Sequence, residues 1–162
     1  MIKAIVSDFS RVVLLPNDET YTGGLNALHK KLSKDGEYDF WNYFRLNSDL
    51  VDFYKSISSK VDVYIFTKGY IQEYPVLKEK IRGSFKNIFS ASELGIKKDN
   101  DESYRIIADL IKIEPEQVIY IDDNQDNLNS AKKAGMHVIC YNSNEQVINS
   151  ISEELKLNIN KN

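Results

Sequence analysis

The chain is poor in the residues that mark several large protein classes. One cysteine, Cys140, leaves no intramolecular disulfide framework and no multi-cysteine zinc site. Three prolines and seven glycines in 162 residues exclude collagen-like and Pro/Gly-rich low-complexity chains. No apolar run approaches the roughly 18 residues that a membrane-spanning helix needs. The first residues, Met1 to Asp8, turn polar too soon for a secretory signal. Positive charge is not in excess either: 21 Lys plus Arg stand against 24 Asp plus Glu, a formal charge of −3. The basic footprint of a protein held by nucleic-acid phosphates is therefore lacking. A phosphorylated small molecule stays open, because it needs only a local cationic pocket. With 42% hydrophobic residues the chain has enough for one well-cored domain. The expectation is a cytoplasmic domain with neither nucleic acid nor membrane as partner; a monomer and a homodimer are both compatible with it.

Four short runs read as buried strands: Ile2–Val6, Val61–Phe66, Val118–Ile121 and His137–Tyr141. Each is rich in β-branched or aromatic residues and nearly continuous, as in a sheet covered on both faces. Asn87–Ser90 is a weaker fifth. Helical spacing fills the gaps: Tyr104, Ile107, Ala108 and Ile111 in one segment, with Asp99 as its expected cap. Leu128 to Ala134 forms a second, closed by Gly135, and Val147 to Leu155 a third. Alternating strands and helices predict an α/β fold, a doubly wound and mostly parallel five-stranded sheet. The stretch 21–59 is helical in pattern, aromatic (Tyr38, Phe40, Trp41, Tyr43, Phe44) and without a convincing strand. It reads as a small helical cap insertion over the strand ends, between core segments 1–20 and 60–156. Its aromatics read as a small core from which one or two residues line the crevice. His29 and His137 read as structural, Cys140 as a buried thiol, and 157–162 as a frayed tail.

Polar residues cluster where strands end: Asp8, then Thr67-Lys68-Gly69, then Asp122-Asp123-Asn124. In an open parallel sheet the carboxyl ends of the strands form the binding crevice. If the first and fourth strands are neighbours, Asp8 and Asp123 meet there. Paired carboxylates offer the hard oxygen ligands that suit Mg²⁺ beside a phosphate. Asp122-Asp123 could also simply cap the helix beginning at Gln125.

In this order, these segments resemble the haloacid dehalogenase (HAD) superfamily, mostly Mg²⁺-dependent phosphatases with a Rossmann-like core. The stretch from Glu93 through Lys98, Tyr104-Arg105 and Val118–Asp123 to Asn127, Ala131 and Gly135-Met136-His137 carries most of the likeness. The resemblance implies that Asp8 is a nucleophile forming an aspartyl-phosphate. It implies that Asp8, the Ser10 backbone carbonyl and Asp123 hold Mg²⁺. Thr67 would hydrogen-bond the phosphoryl group, while Ser10, Arg11, Lys68 and Gly69 would line the phosphate. Lys98, favoured by spacing over Lys97, would offset charge, with Asp122 and Asn127 in support. The substrate implied is a phosphorylated small molecule.

Two departures stand in the first motif, Asp8-Phe9-Ser10-Arg11-Val12. Phosphatases of this superfamily generally carry an acid/base Asp two residues after the nucleophile, where this chain has Ser10. Ser10 is similar to the Thr found there in P-type ATPases, whose aspartyl-phosphate is long-lived. Arg11 stands where Gly is usual and could either reach the phosphate or crowd the loop. Asp99 also replaces a common Pro after the lysine. A slow phosphatase is the leading expectation. The alternatives are an impaired domain that binds a phosphorylated ligand or a protein, and, less favoured, a dehalogenase, a branch that uses no Mg²⁺. Asp8 to Thr67 is 59 positions, short for a relative with a full helical cap, so the cap is expected to be reduced.

Overall fold

The computed structural model describes residues 1–157; the expected frayed tail lies, after Leu157, outside the described residues. In chain order the elements are β1 (Ala4–Ser7), β2 (Leu14–Pro16), α1 (Leu25–Leu32), β3 (Phe44–Leu46), α2 (Ser48–Ile57), β4 (Asp62–Thr67) and α3 (Pro75–Ile81). There follow β5 (Asn87–Ser90), α4 (Ala91–Leu94), α5 (Asp101–Ile111), β6 (Val118–Asp122), α6 (Gln125–Lys133), β7 (His137–Cys140) and α7 (Asn144–Glu154). Five strands form one parallel sheet in the order β5-β4-β1-β6-β7.

Side chains alternate across that sheet, and each face has its own core. Ile5, Val63, Ile65, Ile119 and Ile121 face one apolar cluster, which takes in Leu50, Val51 and Ile57 of α2 and Val147 and Ile151 of α7. Ala4, Val6, Tyr64, Phe66, Val118 and Tyr120 face the other, with Tyr104, Ile107 and Ala108 of α5 and Leu128 and Ala131 of α6. Burial on both faces explains why these strands read as continuous apolar runs. β1 is central, flanked by β4 and β6. The strand order therefore reverses beside β1, and its carboxyl end opens into the crevice.

The register moves some expected boundaries. Ala4 pairs with Asp62 and Val118, so the ladder begins there, and Ile2 is buried but outside it. The cap of α5 is Asn100, whose side chain accepts the Glu102 amide, rather than Asp99, which is exposed beside the crevice. α6 ends as expected, with Gly135 at φ +103°. Cys140 is half-buried rather than buried.

The stretch 21–59 does contain a strand. β3 pairs antiparallel with β2, about thirty residues earlier, a partnership that no local pattern announces. α2 packs on the sheet through Leu50, Val51, Tyr54 and Ile57. The Tyr54 hydroxyl donates to Ser7 Oγ, and Ser7 Oγ–H in turn donates to the carbonyl of Asp8. A small aromatic core does form, with Tyr38 and Phe40 stacked on Tyr74 and His29 edge-on to Tyr74. It stands apart from the crevice: among the described residues no aromatic lines it, and Trp41 and Phe44 border a separate shallow depression.

Candidate active site

Asp8 follows the last residue of β1, and its amide donates to the Ile121 carbonyl of β6 at 2.7 Å. The chain then turns sharply. The Phe9 carbonyl accepts the amides of Val12, Val13 and Leu14, and the Arg11 amide donates to Leu14. The resulting bridge between Ser10 and Leu14 uses the groups on either side of Ser10. It leaves Ser10's own carbonyl without a backbone partner among the described residues.

Lys98 crosses from the loop ahead of α5 to meet Asp8. Its Nζ lies 2.6 Å from Asp8 Oδ1 and 3.1 Å from Asp122 Oδ2, all three side chains being buried. Two rings hold it, Phe66 and Tyr120, with Nζ at 5.5 and 5.8 Å from their centroids. The Tyr104 hydroxyl donates to the Lys98 carbonyl at 2.7 Å. Lys97 is exposed at the rim. The structure thus brings Lys98, and not its neighbour, to Asp8.

Asp122 is fully buried and richly solvated by protein. It accepts from the Tyr120 hydroxyl, the Asn124 amide and Asn127 Nδ2, in addition to Lys98. The α6 cap is Asn124, which accepts from Asp126 and Asn127, so neither aspartate is needed as that cap. Ligand oxygens of Asp8, Asp122 and Asp123 lie within 4.8 Å of one another. Asp123 opens to the crevice.

These environments pull the carboxyl groups apart. Burial would raise Asp122, but Lys98 and its hydrogen-bond donors outweigh it and hold the group below the usual carboxylate range. Burial and the neighbouring Asp122 charge push Asp8 up to about 7 against the pull of Lys98. Partial desolvation and Asp122 likewise push Asp123 up to about 6. Burial alone would depress Lys98, but Asp8 and Asp122 outweigh it and raise the amine.

Three clustered carboxylates with one lysine form a hard oxygen set suited to a divalent cation with phosphate. Four buried side-chain atoms have no partner among the described residues: Ser10 Oγ, Thr67 Oγ1, Gln72 Oε1 and Ser84 Oγ. A buried donor left unpaired is costly, and two of these stand by Asp8, Ser10 Oγ on the crevice wall and Thr67 Oγ1 at the end of β4, the neighbour of β1, where a polar ligand would supply the missing partner. Lys68 and Gly69 line the crevice after β4.

Arg11 takes a part that its sequence position did not suggest. It adopts left-handed backbone, φ +64°, where a residue with a Cβ is strained by about 1–2 kcal/mol. One guanidinium nitrogen donates to the carbonyls of Tyr21 and Gly23 at 2.8 and 2.6 Å. That nitrogen ties the nucleophile's loop to the cap, although the residue also lines the crevice. Sequence reasoning missed Tyr120 and the contacts that Arg11 makes with the cap. Tyr120 was recoverable, since it shares a strand face with Asp122 two residues on; the cap contacts carry no local signal.

Residues 66–141 match the family model described as haloacid dehalogenase-like hydrolase. An enolase-phosphatase E1 of Aquifex aeolicus is 32% identical over 83 residues, 49% of this chain and 37% of that protein. The chain thus aligns with little more than a third of that relative's length. Among solved structures, a predicted HAD-like family hydrolase of Porphyromonas gingivalis has TM-score 0.68 at 15% identity, over 96% of this chain and 98% of that one. A HAD family enzyme of Bacteroides thetaiotaomicron, in complex with magnesium and inorganic phosphate, has TM-score 0.67 at 14% identity, over 89% and 96%. At that identity the two structures speak to the fold.

Proposed function

We propose that this chain is a haloacid dehalogenase-superfamily hydrolase, a Mg²⁺-dependent phosphomonoester phosphatase with Asp8 as nucleophile. The observation that carries the reading is Asp8 at the central strand's end, clamped by Lys98 at 2.6 Å, beside Asp122 and Asp123 and an unpartnered buried Thr67 hydroxyl.

The residues support the following roles. Asp8, Asp123 and the Ser10 carbonyl would hold the metal, with Asp122 and Asn127 buttressing it. Bound there, Mg²⁺ supplies positive charge that lets an anionic phosphate approach an anionic nucleophile. An Asp8 carboxylate oxygen forms a bond to phosphorus as the bond to the substrate's ester oxygen breaks, and the leaving group departs with that electron pair. Lys98 shares the charge on Asp8, and Thr67 Oγ1–H donates to a phosphoryl oxygen. Water then attacks the phosphorus of the aspartyl-phosphate, releasing inorganic phosphate and restoring Asp8. Ser10 has no readily ionised acid near neutral pH, so proton transfer to the leaving oxygen and from the water is poorly assisted.

Mg²⁺-dependent release of phosphate from an aryl phosphate, lost in Asp8→Asn, tests the reading. Asp8→Asn removes a buried carboxyl whose ionised form folding disfavours, so the variant is expected to stay folded. A variant that releases phosphate as fast as the native chain would overturn the assignment. A second reading, an impaired domain that binds a phosphorylated ligand or protein, draws support from Ser10 at the acid/base position. Binding without turnover would favour it.

The raised carboxyls give a pH dependence. Asp8 and Asp123 must lose their protons to bind Mg²⁺, so affinity rises with pH through about 6 to 7 and levels off above. Calorimetric titration should show Mg²⁺ binding more than about tenfold weaker at pH 5.5 than at 7.5. Equal affinity at both would contradict it.

A further inference from the structure

The crevice over Asp8 encloses about 1020 Å³. That is far more than a phosphoryl group fills and matches sites that take whole small molecules. Five cationic residues line it: Arg11, Lys30, Lys68, Lys97 and Lys98. Two are engaged, Lys98 by Asp8 and Asp122 and Arg11 by cap carbonyls. Lys30, Lys68 and Lys97 are exposed and have no ion-pair partner among the described residues, although Asp99 and Asp126 also line the mouth. A chain of net charge −3 thus gathers unpaired cations at the entrance to its acidic floor.

Lys30 sits on a helix that is fastened at the crevice. Just before α1, Arg11 grips the Tyr21 and Gly23 carbonyls. Within α1, Asn26 Oδ1 accepts the Tyr70 and Ile71 amides, each at 3.1 Å, and so ties the cap to the loop after Thr67. Gly69 permits that approach, because a Cβ there would lie 2.6 Å from Asn26 Oδ1. Lys30 is four residues after Asn26, on the same helix face, and lines the same crevice. Lys68 stands on the loop to which Asn26 is tied.

We infer that the substrate's leaving group carries a second anionic group, carboxylate or phosphate, read by Lys30 together with Lys68. The inference rests on the phosphatase reading, which puts the reacting phosphate at Asp8. An exposed ion pair contributes a factor of about three, up to about five, and the factors multiply, so two lysines give about tenfold.

Non-hydrolysable phosphonates test it, by calorimetry with Mg²⁺ present. Butylphosphonate is compared with its isostere phosphonobutyrate, hexylphosphonate with phosphonohexanoate, and propane bisphosphonate separates a phosphate from a carboxylate preference. At one of these lengths the ligand with two anionic groups should bind about tenfold tighter than its partner with one. The ratio should fall to about threefold in Lys30→Gln and largely survive in Lys30→Arg. No advantage for a second anion at any length, or an advantage intact in Lys30→Gln, overturns the inference while leaving the phosphatase reading in place. Failure of every phosphonate to bind in the presence of Mg²⁺ overturns both.

Discussion

Ser10→Asp is expected to raise turnover of an alkyl phosphate by about 10²-fold or more, the size of general acid–base assistance. An alkoxide is a poor leaving group and needs a proton as the ester bond breaks. A serine hydroxyl, un-ionised near neutral pH, supplies it badly. Ser10 is two residues after Asp8 on the turn that carries the nucleophile, and its Oγ is buried without a partner among the described residues. A carboxyl added there would stand close to other carboxylates in a partly desolvated site. Such surroundings raise its pKa, as they raise those of Asp8 and Asp123, toward the range where a group both gives and takes a proton. Aryl phosphates, whose phenoxide leaves more readily, should gain less. Parallel phosphate-release assays on both substrate types check the difference. An unchanged or lower rate on the alkyl ester would show that position 10 is not the acid/base position.

Lys98→Met should unfold more easily and release no phosphate. Among the described residues Lys98 is the one cation touching both buried carboxylates, at 2.6 and 3.1 Å. Removing one partner of a buried pair leaves uncompensated charge and typically costs about 3–5 kcal/mol. For a chain of this size that is a fall in Tm on the order of 10 °C. The loss should depend on pH in a definite direction. Without the lysine, burial and the Asp122 charge act on Asp8 unopposed and keep its carboxyl raised above its unfolded value, so its neutral form favours folding. The deficit is then largest at neutral pH and shrinks as pH falls toward the unfolded carboxylate range. Melting curves at pH 5 and pH 8 check it. A Lys98→Met variant as stable as the native chain at pH 8 would mean that Lys98 does not hold those charges.

What could be seen in the sequence followed from locality. β1, β4 and β6 were legible because strands buried on both faces are written as short continuous apolar runs, and β7, a partly buried edge strand, because its short apolar run is also unbroken. Asp8, Thr67 and Asp123 were legible because each ends or follows such a run. β3 was not, since its three residues make sense only against β2, far back in the chain. Arg11 was visible as a mismatch, yet nothing local shows that its guanidinium reaches the carbonyls of residues 21 and 23. The same holds for the aromatic walls of Lys98: Phe66 and Tyr120 read as ordinary core until the fold sets them around one ammonium group.

The covalent step on Asp8 is the centre of this account, and it can be observed directly. The intact protein is mixed with acetyl phosphate and Mg²⁺, quenched in acid, and its peptides are analysed by mass spectrometry. The proposed chemistry predicts an acid-stable, hydroxylamine-sensitive phosphoryl group on Asp8, persistent because Ser10 activates water poorly, and absent from Asp8→Asn. Native protein that releases phosphate while a label forms on another residue, or a label that persists in Asp8→Asn, would contradict it.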